Sequence, residues 1–210
     1  MPAYAYIIQR TGAHGVCRSW KDMQDVMRQN GSVLVSRRFD DAAEAERRIA
    51  HAMRPYEGGP VAFVDGSARG RHTKTVGAGV SLRADGIDGH ATFEAALRLD
   101  SPAALSEGQV SGELLAATVA CNYAMAMGAS RLTIAYDYIG IMAVAEGLYE
   151  ARSKASRAWL ACVDAARAAG LDVRFVHIYS HEGVSNAWEQ GNDRADQLAK
   201  AGRGGMPVSR

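Results

Sequence analysis

Features that would cross-link the chain or anchor it in a membrane are scarce in this sequence. Its 210 residues include only three cysteines, Cys17, Cys121 and Cys162, whose odd number and wide spacing fit neither a disulfide framework nor a zinc site. The longest apolar run, Leu114–Met127, is interrupted by Asn122 and is too short to cross a bilayer. The N-terminal segment lacks the basic start and long apolar stretch of a secretory leader. We therefore expect a cytoplasmic protein with reduced thiols and no membrane attachment.

An excess of charge of one sign is also missing, because the formal net charge is +1. The balance along the chain is nevertheless uneven. Residues 1–54 contain nine Lys and Arg against six Asp and Glu, a net of +3, whereas residues 55–210 contain fifteen against seventeen, a net of −2. A small basic segment ahead of a slightly acidic one favours a binding module in front of a metal-binding body.

Residues 1–53 predict a small ββαβα module, and residues 54–60 have the Pro and Gly content of a short linker. Ser19 is expected to cap the first helix, and Asn30 and Gly31 to end it. The predicted elements of this module are strands over Ala3–Ile8, Val16–Trp20 and Val33–Phe39 and helices over Lys21–Arg28 and Asp41–Met53.

Residues 61–203 predict a second domain with the element order βββαβααβα, followed by a tail over 204–210. This order indicates an α/β fold in which helices cover a mixed sheet. Strands are predicted over Val61–Val64, Gly77–Leu82, His90–Leu99, Arg131–Tyr136 and Asp172–Tyr179. Helices are predicted over Gly112–Met127, Tyr138–Ala151, Arg157–Ala169 and Asn192–Gly202.

Four carboxylates stand at positions where chemistry is plausible. Asp65 and Asp137 each follow a predicted apolar strand, so parallel central strands would bring both to the ligand-binding end of the sheet. Glu113 lies in the first turn of a helix, and Asp196 lies in the middle of another. Each acid alone has an ordinary alternative role, as a turn residue, a helix cap or a solvated helix residue.

A cluster of these four acids would be costly without counter-ions, because like charges repel at short range. Divalent cations prefer such hard oxygen ligands and would offset the repulsion. Two ions about 4 Å apart could activate a water and stabilise the leaving oxygen of a phosphodiester. The pattern therefore favours metal-dependent phosphodiester hydrolysis.

Four segments resemble, in family order, the catalytic blocks of type I ribonuclease H: Val61–Ser67, Ser111–Ala117, Ile134–Asp137 and Asn192–Lys200. The resemblance covers about residues 61–202 and implies a ribonuclease H-like five-stranded mixed sheet of order 3-2-1-4-5 flanked by helices. It also implies that two Mg²⁺ ions, with Mn²⁺ as a substitute, hydrolyse the RNA strand of RNA–DNA hybrids and leave 5′-phosphate and 3′-hydroxyl ends. The implied metal ligands and catalytic residues are Asp65, Glu113, Asp137 and Asp196.

Two details of the resemblance concern the C-terminal part of the chain. Asp193 competes with Asp196 for the last ligand position, but the family block places the ligand directly before Gln-Leu-Ala, which selects Asp196. His181 matches the family's mobile-loop histidine, which implies help with proton movement or product departure; its alternative is a surface loop histidine. The following stretch, Glu182–Gly191, is about five residues longer than usual in the family and carries Trp188.

The first module is similar to the hybrid-binding, or viroplasmin-like, domain over Gly15–Trp20, Ser36–Phe39 and Ala42–Ala45. That resemblance implies that Trp20 lies against the sugar–phosphate surface of the DNA strand and that Arg37 and Arg38 contact phosphates, with Phe39 packing or stacking nearby. Trp20 and Phe39 have an alternative role as core residues of the module. The implied ligand is an RNA–DNA hybrid, with duplex RNA as a further ligand, and we expect a monomer.

Two other functions remain open from the sequence. The chain could be a non-catalytic protein that binds RNA or hybrids, against which the intact set of four acids argues. It could also be another nuclease, or an integrase-type enzyme, that cuts DNA on the same fold. The Asp65–Ser67 and Ala195–Lys200 blocks favour ribonuclease H over that alternative.

Overall fold

The computed structural model describes residues 2–70, 73–178 and 186–205. The chain forms two compact units. The first contains residues 1–54 together with Met142–Glu150, and the second contains Pro55–Ile141 and Ala151–Arg210. Nothing in the sequence predicts that Met142–Glu150 belongs to the first unit. The boundaries inferred above for the module, the linker, the second domain and the tail stay predictions.

The first unit contains the predicted ββαβα order. Its elements are β1 (Tyr4–Ile8), β2 (His14–Cys17), α1 (Trp20–Asn30), β3 (Val33–Val35) and α2 (Ala42–Ala52). The three strands form an antiparallel sheet of order β2-β1-β3. Residues on alternate positions of β1 are buried, as the period of a strand with one covered face requires.

Local capping explains where the helices of the first unit begin. The Ser19 hydroxyl accepts a hydrogen bond from the backbone N–H of Asp22, so Ser19 caps α1 as predicted. The Asp41 carboxylate accepts from the N–H of Ala43, so Asp41 is the cap of α2 and not its first residue. Strand β3 ends at Val35, earlier than predicted, and Phe39 makes only an isolated bridge to Ala3.

The second unit is built on a five-stranded mixed sheet. Its strands are β4 (Val61–Ala68), β5 (Val76–Arg83), β6 (Phe93–Leu99), β7 (Arg131–Tyr136) and β8 (Asp172–His177), in the order β6-β5-β4-β7-β8. Pairing is antiparallel between β4, β5 and β6, and parallel between β4, β7 and β8. The predicted order 3-2-1-4-5 is therefore confirmed.

The helices of the second unit flank this sheet: α3 (Pro102–Glu107), α4 (Gln109–Ala126), α6 (Lys154–Ala168) and α7 (Ala187–Gly204). The short α5 (Gly140–Ala145) overlaps the segment Met142–Glu150 of the first unit. Helix α3 was not predicted, α4 begins earlier than expected, and the predicted helix Tyr138–Ala151 is only the short α5. Within the described residues, no helix combines the length and apolar character needed to cross a bilayer.

Helix α7 begins at Ala187, whereas the sequence predicts a start at Asn192. The Asn186 side chain accepts from the N–H groups of Trp188 and Glu189, and the Glu189 carboxylate accepts from the N–H of Asn186. This capping box fixes the helix start. The last residues of the Glu182–Gly191 stretch are therefore helical. Trp188 is a packing residue, because the centroid of its ring lies 5.1 Å from that of Tyr56 and 6.1 Å from that of Phe63.

Two glycines in β5 allow α7 to lie close against the sheet. A Cβ atom on Gly77 would overlap the carbonyl oxygen of Ala199, and one on Gly79 would overlap that of Ala195. Backbone therefore packs against backbone where α7 crosses β5. This close approach determines where the acids of α7 lie relative to β4, the next strand of the sheet.

Candidate metal centre and nucleic-acid-binding residues

The register of the two central parallel strands brings Asp65 and Asp137 to the same position across the sheet. Phe63 of β4 pairs with Ala135 of β7. Asp65 and Asp137 each lie two residues further along, so their side chains point to the same face as those two residues. Asp65 lies inside β4 and not after it, because pairing with β5 continues to Ala68.

A glycine beside Asp65 lets α4 approach β4 and delivers Glu113. A Cβ atom on Gly66 would lie 2.6 Å from the Glu113 nitrogen, far inside contact distance. Because α4 begins at Gln109, Glu113 is in the second turn and is not a helix cap. The Gln109 amide donates to the Glu113 carboxylate over 3.3 Å. Gln109 was not predicted as a site residue, although its spacing of four residues places it on the same helix face.

The side chains of Asp65, Glu113 and Asp137 converge. One carboxylate oxygen from each lies within 4.8 Å of the other two. Asp65 is 6% exposed and Glu113 is 1% exposed, while Asp137 is half-buried. Among the described residues, the Glu113 Oε2 atom is buried without a hydrogen-bond partner. A buried carboxylate oxygen without a donor is costly unless something outside the chain binds it.

Burial and mutual repulsion make these carboxylates difficult to ionise. Burial, followed by repulsion from Asp137, raises the pKa of Asp65 to about 7. Burial, followed by repulsion from Asp65 and Asp137, also raises the pKa of Glu113 well above its ordinary value. Because no described cation is among the causes of either shift, the cluster stores electrostatic repulsion that a bound cation would relieve.

His177 holds the backbone beside Asp137. Its Nε2 atom donates to the Asp137 carbonyl oxygen over 3.0 Å, and its ring packs against Tyr136 with centroids 5.5 Å apart. Burial lowers the pKa of His177, which favours the neutral ring. The sequence suggests only packing for this residue, but the hydrogen bond also positions the turn that carries Asp137.

Solved structures similar to this chain include ribonucleases H and a foamy-virus protease–reverse transcriptase. Ribonuclease H1 from the halophilic archaeon Halobacterium salinarum is 18% identical and gives a TM-score of 0.55, with 70% of this chain and 98% of that chain covered. The N-terminal ribonuclease H domain of a Mycobacterium tuberculosis protein is 15% identical, with a TM-score of 0.54 and coverage of 70% and 94%. LC11-RNase H1 from compost, solved with an RNA/DNA hybrid, is 18% identical, with a TM-score of 0.54 and coverage of 70% and 97%.

The chain has a ribonuclease H-like fold. At these identities the likeness establishes the fold alone, because one fold supports many activities. The sequence matches no model of a known protein family, and it matches no curated protein sequence.

The fourth predicted ligand of the ribonuclease H-like site lies at its edge. Asp196 is half-buried on α7, and its carboxylate binds the side chain of Lys200. It is outside the group of three converging acids, yet its charge contributes to the raised pKa of Asp65. Asp193 is exposed and accepts from Gln197 over 2.7 Å. Of Asp193 and Asp196, only Asp196 contributes to the raised pKa of Asp65. His181 lies outside the described residues.

The predicted nucleic-acid-binding residues of the first unit have different environments. Trp20 is 48% exposed and packs edge-on against Tyr4, with centroids 5.2 Å apart, so it is not a core residue. Arg38 is exposed beside Asp40, at 3.6 Å. Phe39 is 1% exposed. Its ring is therefore part of the core, which favours the packing role over stacking on nucleic acid.

Arg37 is hydrogen-bonded to backbone carbonyl groups of the first unit. Its backbone N–H donates to the Leu148 carbonyl over 2.6 Å, and its Nε atom donates to the Gly147 carbonyl over 3.0 Å. The guanidinium lies 4.4 Å above the Phe39 ring and 3.7 Å from Glu44. Arg37 thus binds Met142–Glu150 within the first unit, which leaves Arg38 as the more accessible member of the pair.

Proposed function

We propose that this chain is a metal-dependent endonuclease that hydrolyses the RNA strand of RNA–DNA hybrids, leaving 5′-phosphate and 3′-hydroxyl ends. The observation that carries the proposal is the convergence of Asp65, Glu113 and Asp137 within 4.8 Å on a ribonuclease H-like sheet. One of the similar structures, LC11-RNase H1, was solved with an RNA/DNA hybrid, and we propose the same class of substrate for this chain.

The donor set fits Mg²⁺, with Mn²⁺ as a substitute. Carboxylate oxygens are the ligands that these hard cations prefer. The partnerless Oε2 atom of Glu113 and the raised pKa values of Asp65 and Glu113 both indicate that the cluster lacks a positive partner. Asp65, Glu113 and Asp137 would hold the ions, and Asp196 would join them by releasing Lys200. A pair of such ions supplies an activated water and stabilises the leaving oxygen.

The chain's own residues prepare this chemistry. Gln109 orients Glu113 through its amide, and His177 fixes the carbonyl of Asp137. The Gly66 N–H donates to the Asp65 carboxylate. Burial of Asp65 and Glu113 excludes bulk water from the site, which strengthens electrostatic interactions there.

The first unit is proposed as the hybrid-binding module, with Trp20 and Arg38 as its accessible contacts and Arg37 beside them. Phosphate contacts by arginine are independent of sequence. Hybrid selectivity would then come from duplex shape and 2′-hydroxyl groups in the wide minor groove, and duplex RNA would be a weaker ligand.

His181 is proposed to assist proton movement or product departure. We further propose that the protein is a cytoplasmic monomer with domains at 1–53 and 61–203.

A non-catalytic hybrid-binding protein is the second candidate. It is favoured by one observation, namely that Asp196 is bound to Lys200 and stands outside the group of three acids. A cleavage assay separates the two candidates directly.

The test uses the full chain with end-labelled RNA–DNA hybrid, duplex RNA and duplex DNA, with Mg²⁺ or with EDTA. We expect cleavage of the hybrid RNA strand only, with Mg²⁺ only, and no cleavage by Asp137→Asn, because the neutral amide is a poorer ligand. The control is Asp164→Asn, which changes an exposed carboxylate on α6. An Asp137→Asn variant that kept more than about a tenth of the native rate would contradict the ligand assignment. Cleavage of duplex DNA would indicate the alternative nuclease.

A further inference from the structure

A basic cleft opens in the second unit next to the candidate metal centre. Its volume is about 770 Å³, and one wall is formed by Arg69 and residues 73–75 while the other is the last part of α7. Four cationic side chains line it: Arg69, Lys74, Lys200 and Arg203. The cleft is within the size range of ligand sites.

Most of the positive charge in this cleft is uncompensated. Lys200 binds the Asp196 carboxylate. Arg69, Lys74 and Arg203 have no carboxylate partner within the described ranges of the chain. Clustered cations repel each other and attract anions from solution, so an anion bound here would lower the electrostatic energy of the folded chain.

The two walls are joined by hydrogen bonds, so the cleft is formed before any ligand arrives. The Thr75 hydroxyl donates to the Arg203 carbonyl over 3.0 Å. The Nη1 atom of Arg203 donates to the Ser67 hydroxyl over 2.6 Å. A guanidinium that is already positioned loses less freedom when it binds a phosphate, and its planar donors suit phosphate oxygens.

Residues that line the cleft bind neighbours of the carboxylate cluster. Ser67, which binds Arg203, lies two residues after Asp65 on the same face of β4, which corresponds to about 7 Å along the strand. Lys200 lies one helical turn after Asp196 and binds it. A strand with one phosphate at the carboxylates would therefore have neighbouring phosphates within reach of the cleft.

We propose that this cleft binds backbone phosphates of the RNA strand beside the bond that is cut. The inference rests on the proposed function, and it adds a strand-positioning site to the carboxylates. A phosphate strand is favoured over an acidic protein segment because the cleft adjoins the acids that would hold the cations for phosphodiester hydrolysis.

The first experiment measures the salt dependence of hybrid binding by the full chain in EDTA, where no cleavage is needed. The variant is Arg69→Gln/Lys74→Gln, and the matched control is Lys154→Gln/Arg157→Gln, which removes two exposed cations from α6. Each lost phosphate contact lowers the slope of log affinity against log salt concentration by about 0.9. We expect the cleft variant to lower the slope by about 1.8, and the control to leave it unchanged.

Between 0.05 and 0.2 M salt, that slope difference means that the native protein loses about 12-fold more affinity than the cleft variant. Thermal unfolding of each variant shows whether it is folded. An equal slope for native protein and cleft variant would overturn the proposal, as would an equal loss of slope in the α6 control.

The second experiment identifies the strand. Hybrids carry a central block of uncharged methylphosphonate linkages in either the RNA or the DNA strand. The native protein should lose affinity for the RNA-modified hybrid, whereas the cleft variant, which has already lost those contacts, should lose little more. The DNA-modified hybrid should weaken both proteins equally. The opposite pattern would overturn the strand assignment, and a poly-glutamate peptide that binds the native cleft as tightly as the hybrid does would indicate a protein ligand instead.

These results are independent of catalysis. If the slope changes as expected but no hybrid is cleaved with Mg²⁺, the proposed nuclease activity is wrong and the cleft remains a strand-binding site. If the hybrid is cleaved but the slope does not change, the cleft inference alone is wrong.

Discussion

Replacing Asp65 with asparagine should stabilise the metal-free protein at neutral and alkaline pH. Burial and the neighbouring Asp137 raise the pKa of Asp65 from 3.8 to about 7, and one pKa unit corresponds to about 1.4 kcal/mol. The cost of ionising Asp65 in the folded chain, from burial first and repulsion second, is then as much as about 4 kcal/mol. Asparagine has nearly the same shape and carries no charge, so it removes this cost.

The sign follows from proton binding. Between pH 3.8 and about 7 the folded protein keeps a proton on Asp65 that the unfolded chain has released. Stability therefore falls as pH rises through this window, and the loss is complete above the folded pKa. About 3 kcal/mol of the loss occurs between pH 5 and 8. For a chain of this size, that corresponds to a shift of about 10 °C in the unfolding midpoint.

The assay is calorimetric unfolding of the native protein and of Asp65→Asn in EDTA at pH 5, 6.5 and 8. The midpoint of the variant minus that of the native protein should increase with pH. Carboxylates away from the cluster, such as Glu94, whose pKa is lowered by Arg194, are present in both proteins and cancel in this difference. Glu113 does not cancel, because its pKa is raised by burial and then by Asp65, but its contribution has the same sign. The control is Asp164→Asn, which should follow the native protein at every pH.

Addition of Mg²⁺ provides the second half of the same test. An ion at a hundredfold excess over its dissociation constant stabilises the folded chain by about 2.7 kcal/mol. The native protein at pH 8 should gain this stability, and Asp65→Asn should gain much less. The reasoning is refuted if the difference between the two proteins does not change with pH, or if Mg²⁺ stabilises both equally.

Three further predictions concern other parts of the chain. Gly66→Ala should lower cleavage at least tenfold, because its methyl group would overlap α4 and move Glu113; a native rate in the standard assay would contradict this. Trp188→Ala should lower the free energy of unfolding by about 2 kcal/mol in denaturant titration, because the ring is half-buried; a change below about 0.5 kcal/mol would show that the ring contributes little. Trp20→Ala with Arg38→Gln should weaken hybrid binding about tenfold with little change in unfolding midpoint, and unchanged affinity would remove these residues from the interface.

Much of the second unit follows from the local sequence pattern. Apolar runs predict all five strands approximately, and the βββαβααβα order predicts the mixed sheet. The positions of Asp65 and Asp137 near the ends of two apolar runs predict that these acids meet if their strands are parallel neighbours. The strand register then brings the two acids to the same level of the sheet. Phe63 pairs with Ala135, and each of these residues lies two positions before one of the acids.

Element boundaries were less predictable, because they depend on capping contacts that several residue types can make. Asn186 and Glu189 start α7 well before the apolar pattern becomes clear. The extra pairing of β4 with β5 extends that strand beyond Asp65. In both cases a hydrogen-bond partner, and not the hydrophobic period, decides where the element begins or ends.

The roles of aromatic and basic residues in the first unit were not decided by composition. Trp20 and Phe39 are both large apolar side chains beside basic residues, yet one is 48% exposed and the other is 1% exposed. Arg37 and Arg38 are adjacent in the chain, but only Arg37 binds the carbonyl of Gly147. The difference between the two arginines arises from packing of Arg37 against Met142–Glu150, which is distant in sequence.

The sequence by itself determined the strand order, the helix order apart from α3, the cap at Ser19 and the identity of the candidate acids, because these depend on short-range periodicity and residue chemistry. Tertiary structure alone decided which carboxylates converge and how strongly they repel. Gly66 brings α4 against β4, and the crossing of α7 over Gly77 and Gly79 positions Asp196 near the site without inserting it into the group of three. Distances of a few ångströms between residues far apart in the chain control those energies, and only the packed backbone sets them.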